Sequence, residues 1–151
     1  MVKYATYRDY LNDTHFHYLY YSALTFIFPS LYSLYLHHFD HFLLQFTTFL
    51  TSILRWKYPK NTYFEVIDHN YVKLVFLTNI FYIYYSINDQ NKLYIYFMIL
   101  LLLSAIIFYI LGCIAFHYEY NINIPLHMIV HLYTTCGFFV ATTIYKSFWI
   151  Y

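Results

Sequence analysis

The 151-residue chain is 62% apolar and 10% charged, with a formal net charge of +1. Soluble domains carry about 25% charged residues, so this deficit predicts an integral membrane protein; the few scattered Lys and Arg offer no nucleic-acid surface. Mean hydropathy is only +0.47, because the 22 tyrosines count as polar although their rings favour the membrane interface.

From the N-terminus, Asp9 and Asp13 precede the first apolar run and no small-residue cleavage site follows it, so no cleavable signal peptide is expected. Five segments of membrane length then follow, at about 18–36, 39–55, 70–87, 93–116 and 124–145. About 20 residues cross a hydrocarbon core of roughly 30 Å. The second segment is the shortest and spans only if Arg55 snorkels to the interface. The third follows a charged connector. Cys113 and Cys136 fall inside apolar segments, which predicts free thiols rather than a disulfide. There is no repeat or linker, so the expectation is one all-α, multi-pass bundle over residues 1–151.

Lysine and arginine set the orientation. Five spans place Lys3, Arg8, Arg55, Lys57, Lys60 and Lys73 on one side, against Lys92 and Lys146 on the other. That bias predicts a cytoplasmic N-terminus and an opposite C-terminus.

Polar residues recur at helical spacing. In the first span they are Ser22, Thr25, Pro29 and Ser33. The second carries His41, Gln45, Thr48, Ser52 and Arg55, one helix face that lipid would not tolerate. The third offers Asp68, Asn79 and Ser86; the fourth has little beyond Ser104 and is expected to face lipid. The last carries His127, His131, Thr134 or Thr135, and Thr142. His127 and His131, four apart, share a face and have a spacing that lets two imidazoles hold one metal. The topology brings Ser52, Asp68, His69, His127 and His131 to the cytoplasmic end of the bundle, a constellation suited to metal-dependent hydrolysis.

Plainer roles exist for each residue. The histidines satisfy hydrogen bonds between helices, Asp68 is solvated at the interface, and Ser52 is an ordinary buried hydroxyl. Arg55 and Lys57 read as topology anchors, and His37, His38, Asp40 and His41 as a solvated loop.

The order Ser52, then Asp68-His69, then His127-Met128-Ile129-Val130-His131 resembles the CREST superfamily of intramembrane hydrolases. These include the alkaline ceramidases, the progestin and adiponectin receptors and the Per1-like lipid remodellers. The resemblance implies a zinc ion held by three histidines. It also implies that Asp68 and Ser52 position a water for attack on a lipid amide or ester, with membrane lipids as partners. Two departures stand out. Trp56 occupies the position, four after Ser52, where the family has its first zinc histidine, and five spans replace seven. The implied metal set is therefore His127 and His131, with His69, His117 or an Asp68 oxygen as the candidates for completing it.

Overall fold

The computed structural model describes residues 13–86, 92–118 and 122–144, all helices and short turns. The helices are α1 (Asp13–Ala23), α2 (Ile27–Tyr35), α3 (Phe39–Lys57), α4 (Thr62–Ser86), α5 (Lys92–His117) and α6 (Asn123–Ile144). A 3₁₀ turn, Leu24–Phe26, joins α1 to α2 in one rod. Pro29 explains that turn. It lacks the N–H that would bond the Thr25 carbonyl, and its ring crowds that carbonyl, so the preceding turn tightens.

The reversal into α3 takes three residues. His37 adopts φ 59°, while the His38 and His37 amides donate to the Ser33 and Leu34 carbonyls at 2.9 and 3.0 Å. This left-handed cap closes the last turn of α2. Asn61 starts α4, its Oδ1 accepting the Tyr63 amide at 3.0 Å, a side-chain cap for an otherwise orphaned donor.

α4 therefore begins eight residues before the expected third span, and most of the charged connector is helical. Asp68 and His69 lie inside α4 rather than at its opening. The other boundaries fall within a few residues of expectation, except that α1 begins at Asp13.

Leu19, Ala23, Phe26, Trp56, Val75, Ile124 and Phe138 form the main buried cluster, drawn from the α1–α2 rod, α3, α4 and α6. α6 packs most extensively on α5, whereas α4 touches both α5 and α6 only lightly. The opposite faces of α4 and α5 remain apolar and uncovered, with Leu77, Leu93, Leu100 and Ile107 all more than half exposed. Two segments, Lys92–Ala115 and Asn123–Ile144, are long and apolar enough to cross a membrane. Both cysteines are free thiols.

Candidate functional site: a polar cavity between α3, α4 and α6

Helix periodicity builds the site. On α3, Thr48, Ser52 and Arg55 follow one another at near-whole turns, and on α4 Asp68, Val72 and Val75 do the same. His127, Val130, His131 and Thr134 supply the α6 wall, and Phe26 closes the cavity from the 3₁₀ turn. The enclosed volume is about 260 Å³, far above the roughly 10–15 Å³ needed by one water. All five residues expected at the site, Ser52, Asp68, His69, His127 and His131, line it.

Asp68 is 3% exposed and both of its oxygens are engaged. Ser52 Oγ donates to Oδ1 at 2.8 Å, and Arg55 Nη1 donates to Oδ2 at 3.0 Å. A buried carboxylate needs such partners, because desolvation of an unpaired charge costs several kcal/mol. Asp68 is thus buried rather than solvated, and Arg55 is its counter-ion. The guanidinium is fixed from a second direction, lying 4.5 Å above the Trp56 ring.

A line of rings continues from there. Trp56 meets His127 edge to face with centroids 5.2 Å apart, and His127 meets His131 at 4.8 Å. His131 Nδ1 lies 2.8 Å from Ser22 Oγ, which also contacts the Leu19 carbonyl at 2.9 Å. A serine hydroxyl has one proton. If it goes to Leu19, His131 must donate from Nδ1, which leaves the Nε2 lone pair available as an acceptor or ligand. The interhelical bonding role foreseen for these histidines is therefore realised in His131.

A catalytic zinc needs three protein ligands. His127 and His131, with ring centroids 4.8 Å apart, are the two candidates expected for such a site. Trp56 stacks where the resemblance puts another histidine, and no group of three His, Cys, Asp or Glu among the described residues is close enough to share an ion. His69 lies on the cavity wall but is exposed. The side chains of His117 and Ser86 fall outside those described.

A second polar cluster occupies the other end of α3. Gln45 Nε2 donates to Thr142 Oγ1 at 2.8 Å, and Gln45 Oε1 accepts from Ser33 Oγ at 2.9 Å. Ser33 and Thr142 hydroxyls are 2.8 Å apart, and His41 Nδ1 is 3.4 Å from Thr142. His41 is 1% exposed, so it belongs to this knot rather than to a solvated loop. Between the two clusters sit Phe26 and Phe138, edge to face at 6.1 Å and each 2% exposed.

Arg55 and Ser22 are the functional side chains that sequence reasoning underrated. The signal for Arg55 was present: it continues the inward stripe three residues after Ser52, and a charge on an inward face demands a partner. Ser22 carried the ordinary signature of a hydroxyl bonding to its own helix, and only its position opposite His131 distinguishes it. Comparison with protein-family models, with curated proteins and with solved structures gives no match for this chain.

Proposed function

We propose that the chain is a five-span membrane protein with a cytoplasmic N-terminus, a shortened CREST-like molecule whose cavity takes the polar end of a membrane lipid. The apolar outer faces of α4 and α5 support the membrane assignment, since patches of that extent are rarely left to water. The observation that carries the lipid reading is the cavity itself. It places Ser52, Asp68, His127 and His131 beside the apolar walls of Val72, Val75, Phe76 and Val130. That mixture matches a head group joined to acyl chain.

In this reading the hydrolase is degenerate. Ser52 and Asp68 keep their mutual bond, but Arg55 supplies the positive charge beside them and Trp56 fills a ligand position. Binding is the chemistry that remains: Arg55, Ser52 and the histidines offer donors and acceptors to a lipid carbonyl.

Lipid binding to detergent-purified protein tests it. Ceramide or diacylglycerol should raise the unfolding temperature saturably. Val130→Phe, which fills the cavity, should abolish the shift, and Leu100→Phe on the outer face of α5 should leave it intact. A shift unchanged by Val130→Phe would refute the site. Tags on the two termini should be accessible from opposite sides of the membrane.

A second reading retains catalysis and rests on His69 sharing the cavity wall with His127 and His131. The three do not stand close enough to share an ion in this arrangement, so this reading requires the exposed His69 side chain to turn inward. Zinc held there would supply an activated water that Ser52 and Asp68 orient towards a lipid amide or ester. It requires about one zinc per chain by elemental analysis, lost in His127→Ala/His131→Ala, together with release of fatty acid from ceramide. The degenerate reading expects neither.

A further inference from the structure

Arg55 is prepared for an anion. The carboxylate of Asp68 and the face of Trp56 hold the guanidinium in one orientation, while the bond to Asp68 uses one of its five N–H donors. Pre-set guanidinium groups with free donors are suited to phosphate, which they meet with paired hydrogen bonds. Glu65 lies 3.9 Å from Nη2, is partly exposed and does not line the cavity, so it competes weakly.

A second cation faces the same space. Lys73 lines the cavity one turn beyond His69, on the exposed rim of α4. Among the described residues Lys73 has no ion-pair partner. The lining thus carries two cations, Arg55 and Lys73, against one carboxylate, Asp68. A ceramide or diacylglycerol head carries no charge to pair with that surplus, whereas a phosphate ester does. Deeper in, Val75, Phe76 and Thr134 are shared with an apolar recess of about 30 Å³ that reaches Met98 and Leu101 on α5. The anion-binding rim and the apolar interior therefore meet along one wall.

We infer that the ligand is a lipid phosphate, its phosphate paired with Arg55 and Lys73 and its apolar part lying against the Val72, Val75 and Phe76 wall of the cavity. This inference rests on the lipid-site reading and names the class of lipid.

The test uses detergent-purified full chain and three probes: phosphatidic acid, diacylglycerol with the same acyl chains, and inorganic phosphate. Phosphatidic acid should bind about tenfold more tightly than diacylglycerol, the difference expected from one hydrogen-bonded charge pair. Lys73→Ala should erase most of that advantage, and Lys73→Arg should restore it. Lys60→Ala, which removes a cation outside the cavity, should leave it unchanged. Because Lys73 is exposed, its replacement does not endanger folding as loss of Arg55 would. Equal binding of the two lipids would overturn the inference and leave the lipid site standing. So would a loss in Lys60→Ala as large as that in Lys73→Ala, which would signal general surface charge. Inorganic phosphate binding as tightly as phosphatidic acid would overturn the lipid as the source of the phosphate. Binding of none of the three probes would overturn both readings.

Discussion

The two polar clusters in this bundle share α3 and α6, and they differ above all in how much room they enclose. The knot of Ser33, His41, Gln45 and Thr142 is closed, each of the four at most 1% exposed and bonded across α2, α3 and α6. The cluster of Ser52, Asp68, His127 and His131 opens onto about 260 Å³ of space. Polarity inside an apolar bundle therefore marks two different things. Where side chains satisfy one another without intervening room, they fix helix register. Where they line a void, they are available to a ligand.

Substitutions can break that contrast. The largest effect is expected at Asp68: replacing it with Ala strands Arg55 and should cost about 3–5 kcal/mol, as for removal of one partner from a buried ion pair. Unfolding in mixed micelles measures the loss, and the Arg55→Ala/Asp68→Ala pair should be less damaging than the sum of the single changes. A cost below that of an ordinary surface change would show that the pair is solvated.

Gln45→Leu comes next. It removes the centre of the closed knot and leaves the Ser33 and Thr142 hydroxyls short of a partner, a loss of about 1–3 kcal/mol. Lipid binding in the folded fraction should be unchanged, and a loss of binding there would erase the distinction between knot and cavity. Ser22→Ala is the mildest. One interhelical bond inside a membrane bundle is worth about 0.6 kcal/mol, so stability should barely move. The NMR tautomer signature of His131 should nevertheless change, since Ser22 Oγ is the partner of its Nδ1.

Much of this arrangement could be read from the sequence because polar side chains are sparse against an apolar background. The spacing of His41, Gln45, Thr48 and Ser52 puts them on one face, and all four are buried. The i,i+4 pair His127 and His131 likewise points to one wall. The start of α4 was not legible. Glu65, Asp68, His69 and Asn70 lower local hydropathy, and hydropathy cannot distinguish a loop from a capped helix whose charges are paired internally. The pairing of Arg55 with Asp68 was hidden for a related reason. A cation at the end of an apolar run usually marks the water interface, and only the position of Asp68 on the neighbouring helix reveals its other duty. Trp56 is legible as occupying the position where the resemblance expects a histidine, but its packing between Arg55 and His127 needed coordinates.

The edge-to-face pair of Phe26 and Phe138 has a consequence of its own. A file of buried hydroxyls, imidazoles and a carboxamide runs along the inside of the bundle from Ser52 to His41. The two phenyl rings interrupt it midway with surface that neither donates nor accepts. The cavity and the knot are thereby two separate hydrogen-bonded networks on either side of an apolar plug, so the hydrogen bonds of one should survive a substitution in the other.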